Sequence, residues 1–182
     1  MTAVICQCLG LGWFSHGLEA TWIIQDKYCS SRNITFHPHC EDVFDLFQKH
    51  AISEANIIVI SYLISHLYNT GQIAEINHLA GNLVNTIIKK NTPLLLIIND
   101  VNSYRRGRDF FSYFLRAIQN NGLTVSKSEY KYFDTGNLFA GQRLGSPYGA
   151  SNVALEAPRE IQEKYHAGAS VNATVQLLVE VL

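Results

Sequence analysis

Two short runs constrain this chain more than any other feature: NIIVIS at residues 56–61 and TPLLLIIND at residues 92–100. Both are apolar at nearly every consecutive position. Side chains on a strand alternate between two faces, so a strand that is apolar throughout needs cover on both sides. A parallel sheet with helices packed on each face meets that need.

The segments around these runs fit the same plan. GQIAEINHLAGNLVNTIIKK at 71–90 sets Ile73, Ile76, Leu79, Leu83, Ile87 and Ile88 at helical spacing and closes on two lysines. GRDFFSYFLRAIQNNG at 107–122 reads as a helix with Phe110, Phe111, Phe114, Leu115 and Ile118 inward and a stop at Asn120, Asn121 and Gly122. Upstream, residues 3–8 read as a strand running into a glycine turn. A helix over 14–28 with Ser15 as N-cap follows, then a strand over 33–39 stopped by Pro38, then a helix over 41–51. Downstream, LTVSKSEYKYFD at 123–134 alternates as a strand with one solvated face. A glycine-rich loop at 135–152, a short helix at 157–167 and a terminal strand at 172–182 complete the chain. The expected fold is α/β: one domain over 1–182, an open, mostly parallel sheet with helices on both faces, and an antiparallel C-terminal edge.

Composition narrows the class. The chain has 182 residues, 47% apolar and 16% charged, which suits one globular domain with a real core. Its formal charge of −1 provides no global field that indicates nucleic acid. No window is long and apolar enough for a membrane span, and the first residues lack the basic start of a signal peptide. The four cysteines read as reduced thiols of a cytoplasmic protein. HPHC at 37–40 lacks the tight paired spacing of zinc sites, so no metal is expected.

In open α/β sheets, ligands bind beyond the carboxyl ends of the strands. Here those ends lead into LGLGWFSHG, HPHCED, SYLISHLYN and NDVNSYRRGR. Gly10 and Gly12 permit a sharp turn and close approach of backbone to a ligand, or form a plain strand-to-helix turn. Glu41 and Asp42 can accept hydrogen bonds from a ribose or an adenine amine, or simply favour a helix N-terminus. Asn99 and Asp100 can be site ligands or cap the following turn. The RRGR cluster at 105–108 can hold a phosphate or pair with neighbouring acids.

ANIIVISYLISHLYN at 55–69, followed by a long helix and TPLLLIIND, resembles the fourth strand, helix and fifth strand of class I S-adenosylmethionine-dependent methyltransferases. LTVSKSEYKYF and NATVQLLVEVL resemble that family's sixth and seventh strands, which form its antiparallel edge. The likeness covers roughly residues 33–182 and rests on order and texture more than on diagnostic residues. It implies S-adenosylmethionine as cofactor and an unidentified methyl acceptor. It places Gly10 and Gly12 under the methionine part, Glu41 and Asp42 near adenine, and Ser61 and Tyr62 beside the sulfonium and the substrate. Tyr62, His66 and Asp100 are the candidate bases, needed only if the acceptor must lose a proton. The chain departs from the family where a strand–helix unit, whose acid binds the ribose, would precede NITFHPH.

That departure opens a second reading, a non-catalytic partner subunit or homo-oligomer using the loop at 135–152 and Tyr130, Tyr132, Phe133 and Tyr148. A third reading takes Gly71 and Glu75 as resembling the nucleoside deoxyribosyltransferase-like proteins, with Glu75 as nucleophile on an N-glycosidic bond.

Overall fold

The computed structural model describes residues 3–7, 56–90, 92–101, 107–134, 148, 152–153, 159, 163 and 173–182. The elements are β1 (Ala3–Gln7), β2 (Ile57–Ser61), α1 (Leu63–Asn69), α2 (Ile73–Lys90), β3 (Leu94–Val101), a 3-10 turn (Gly107–Phe110), α3 (Phe111–Asn120), β4 (Val125–Asp134), β5 (Asn152–Val153) and β6 (Ala173–Val181). The fold is α/β around a mixed sheet of order β1-β2-β3-β6-β4-β5.

β1, β2 and β3 run parallel, and β4 pairs parallel with the short β5. β6 is antiparallel to both β3 and β4. The expected antiparallel pairing of the last two long strands is present, but β6 lies inside the sheet, not at its edge. The reason is connectivity. β3 reaches β4 through α3, a crossover that joins parallel strands and leaves a gap, and the last strand fills that gap.

The apolar strands divide their side chains by parity. Ile58 and Ile60, Leu94, Leu96 and Ile98, and Val175, Leu177, Val179 and Val181 form one buried face. The three described helices all pack against that face. α2 contributes Ile76, Leu79, Ala80, Leu83 and Val84, which recur at helical spacing, and α3 contributes Phe111, Phe114 and Ile118. Fully burying one such side chain contributes on the order of 1.5–3 kcal/mol. Ile73, expected on the buried stripe, is 45% exposed, because α2 begins there and its first turn precedes the first core contact at Ile76. The side chains of Ile87 and Ile88 lie outside the described residues.

Residues 107–110, expected as the first turn of a helix, form a tighter 3-10 turn, and Phe110 offers no capping side chain. Gly71 (φ 78°) joins α1 to α2, and Gly122 (φ 74°) stops α3 as its sequence implies. The opposite face of the sheet carries half-buried side chains at alternate positions of β2, β3 and β6. The expected helices over 14–28 and 41–51 and the strand over 33–39 lie outside the described residues. So does most of the expected helix over 157–167, of which Arg159 and Glu163 are described as helical and paired at 2.7 Å. None of the described helices is long and apolar enough to cross a membrane.

Candidate functional site

At the carboxyl ends of the parallel strands the sheet changes character. Register aligns Gln7 with Ser61, Ser61 with Asn99, Asn99 with Gln176 and Gln176 with Lys131. Five neighbouring strands therefore place a polar residue at one level. Ser61, Asn99, Gln176 and Lys131 are half-buried. The Gln176 side-chain amide donates to Asn99 Oδ1 at 2.9 Å, and Asn99 Nδ2 donates at 3.5 Å to Ser61 Oγ. Lys131 is drawn aside to Glu129 at 3.2 Å, and this lysine, with Lys127, lowers the Glu129 pKa.

Tyr62 closes one end of this row. Its backbone is left-handed (φ 57°, ψ 19°), and it is the one non-glycine residue with positive φ among the described residues. A left-handed residue with a Cβ costs roughly 1–2 kcal/mol. The strain persists because the surroundings fix both ends of the residue. The Tyr62 N–H still belongs to the sheet, donating to the Asn99 carbonyl at 2.8 Å, while the next residue already starts α1. The phenol reaches across the end of β3, and its hydroxyl lies 3.1 Å from Thr174 Oγ1 on β6. Thr174 and Gln176 occupy the same face of β6, so Tyr62 lies over the side of the sheet that carries the polar row. The tyrosine stays 45% exposed.

Asp100 is the next residue after Asn99 and points to the other face. It is fully buried. Its Oδ2 accepts the Ser65 backbone N–H at 3.0 Å, and its Oδ1 accepts the Val101 N–H at 2.7 Å. α1 has no capping side chain from Tyr62, so the carboxylate of the neighbouring strand caps the helix instead. Burial pushes the Asp100 pKa up, and hydrogen bonds from the Ser65 hydroxyl and from the backbone of Ser65, Val101 and Ile64 partly oppose that rise.

Among the expected site residues, the fold thus brings Ser61 and Tyr62 together and sends Asp100 to the helix side. His66 is exposed on α1 and takes no part in these hydrogen bonds. Gly10, Gly12, Glu41 and Asp42 lie outside the described residues. Glu75 sits in the first turn of α2 and pairs with His78 at 3.0 Å, apart from the polar row. Thr174 and Gln176 escaped the sequence reading. Their signal was the polar alternation in an otherwise valine- and leucine-rich terminal strand. Among the described residues no group of three metal-ligating side chains gathers. Comparison with protein-family models, curated proteins and solved structures finds no match to this chain.

Proposed function

We propose that this chain is a Rossmann-like, S-adenosylmethionine-dependent methyltransferase domain that transfers a methyl group to an acceptor. The observation that carries the reading is the strand order: parallel β1, β2 and β3, then β6 running antiparallel between β3 and β4. The parallel β2–β3 pair and the antiparallel β4–β6 pair are what matching β2, β3, β4 and β6 to the family's fourth, fifth, sixth and seventh strands implies. The polar row at the carboxyl ends adds weight, because that edge is where such sheets bind ligands.

The described residues suit a sulfonium. The exposed Tyr62 ring, its hydroxyl beside that of Thr174, attracts a cation through its π face. On this reading Ser61 and Tyr62 lie beside the sulfonium, Gly10 and Gly12 at the methionine part, and Glu41 and Asp42 near adenine. Held there, the cofactor would supply an electrophilic methyl group to the acceptor's lone pair, and any acceptor proton would pass to a base or water. The chain's own residues mainly position the reactants. Tyr62 is held by Thr174 and by its strained backbone, which fixes the ring at the head of α1. Asp100 acts through α1 as a positioning residue, since one carboxylate oxygen accepts from α1 and the other from its own strand. His66 remains a candidate base, tested by His66→Ala.

Titration calorimetry with S-adenosylmethionine and S-adenosylhomocysteine tests the reading. Wild-type protein should bind with micromolar affinity. Tyr62→Ala weakens S-adenosylmethionine by about 5–30-fold, the worth of a partly desolvated cation–π contact. Glu75→Gln leaves binding unchanged. Absence of binding to either compound overturns the proposal.

A further inference from the structure

One surface joins two segments that the sequence keeps far apart. The ring of Tyr68, in the last turn of α1, lies 6.1 Å from that of Phe110, and Phe110 lies 5.6 Å from Tyr113 on α3. The Arg116 guanidinium then stands 5.2 Å from the Tyr113 ring centre. The four side chains form a continuous aromatic ladder that ends in a cation.

The outer end of the ladder is open. Tyr113 is 42% exposed. Arg116 donates through Nε to the Ser112 carbonyl at 3.2 Å and through one terminal nitrogen to the Ser112 hydroxyl at 3.1 Å. A guanidinium has five N–H groups, so donors remain on Arg116 for a further acceptor. No acidic side chain lies on α3, and Arg116 is its one cation. Arg108 adds little to the surface, because its side chain is 10% exposed and lies 3.5 Å from Asp109.

Position matters as much as charge. α1 leaves the sheet at the carboxyl end of β2, and the 3-10 turn with Phe110 follows the carboxyl end of β3. Tyr68 lies six residues beyond Tyr62, about 9 Å along a helix axis.

We propose that the Tyr68–Phe110–Tyr113 ladder with Arg116 binds single-stranded nucleic acid, its bases stacking on the tyrosines and a phosphate meeting Arg116. The exposed Tyr113 ring beside a cation suits this ligand, because every base has a stackable face and every linkage a negative charge. A duplex suits it poorly, because its bases are already stacked on one another. If the chain is a methyltransferase, the strand is its acceptor class, and only that role rests on the methyl-transfer reading.

The test is fluorescence anisotropy with fluorescein-labelled mixed-sequence 12-mers of RNA and DNA, each single-stranded and as duplex, over a salt series. Wild-type protein should bind a single strand more tightly than its duplex. Tyr113→Ala should weaken strand binding by about 5–100-fold, the range of one lost base–aromatic stack. Arg116→Ala should lower the slope of log affinity against log salt by about 0.7, the value of one phosphate contact on a single strand. Thermal unfolding of each variant confirms that the fold survives, and Arg116→Lys should recover the salt slope. No strand binding, equal binding of duplex, or full strand binding by Tyr113→Ala overturns the inference. The S-adenosylhomocysteine titration separates the two proposals: cofactor binding without strand binding overturns this one alone, and strand binding without cofactor binding overturns only the methyl-transfer reading.

Discussion

Asn99 and Asp100 are neighbours in the chain and opposites in their surroundings. Asn99 faces the half-buried side of the sheet, bonded to Gln176 and reaching toward Ser61. Asp100 faces the helices, fully buried, with its oxygens on the backbone of α1 and of its own strand. The same parity divides the whole of β3. One side holds the molecule together, and the other builds a polar surface where the parallel strands end. Strand geometry alone makes this division, because a shift of one residue exchanges every side chain between faces.

The largest test of that division uses one residue type on both sides. Ile98 is fully buried against the helices, and Ile97 is half-buried on the opposite face. Ile98→Ala should lower unfolding free energy by about 2–5 kcal/mol, through lost transfer energy and the cavity left behind. Ile97→Ala should cost roughly half as much, in proportion to its smaller buried area. Urea unfolding midpoints with unchanged slopes provide the comparison. Equal losses at the two positions would mean that the second face is as tightly packed as the first.

Asp100 offers a smaller and pH-dependent test. Asp100→Ala leaves the buried Ser65 N–H without its acceptor, at a cost of about 1–3 kcal/mol. The sign of the pH effect follows from burial. The folded pKa of Asp100 lies above its unfolded value, so between the two the native state retains a proton that the unfolded state has lost. Stability from this group therefore falls as pH rises through that window. Subtracting the curve of Asp100→Asn from that of wild type should show a decline beginning near pH ~4, the ordinary aspartate value. A rising difference would mean that the hydrogen bonds from α1 outweigh desolvation. Glu129 has the opposite sign: its lowered pKa gives a contribution present above the ordinary glutamate range and lost as pH falls through the folded value.

The sheet was largely legible because its signals are local. Continuous apolar runs predicted β2 and β3, alternation predicted β4, and helical spacing predicted α2 and α3. Ser61 and Tyr62 were legible as candidates because they directly follow a buried strand. The polar row was not legible, since register joins residues that the sequence separates: Gln176 meets Asn99 across 77 positions. Asp100 was visible as a carboxylate at a strand end. Its role as the cap of α1 depends on how the head of one element packs against the end of another, and no local pattern encodes that. The aromatic ladder escaped for the same reason, because Tyr68 and Phe110 become neighbours only when α1 packs against the 3-10 turn.

Tyr62 yields the smallest change in stability and the sharpest separation of roles. Tyr62→Phe removes only an exposed hydroxyl contact to Thr174 and should cost about 0.5–1 kcal/mol. Tyr62→Gly relieves a left-handed backbone worth roughly 1–2 kcal/mol and loses a ring that is 45% exposed, so stability should change little. Binding of S-adenosylmethionine should nevertheless fall with the ring. Strain kept at one residue, in a place where glycine would fold as well, has a physical reason if the side chain does something the fold does not need. Thermal unfolding and calorimetry on the same sample read both quantities. A glycine variant that loses more than about 2 kcal/mol would show that the ring supports the sheet end itself, joining Tyr62 to the structural side of the division.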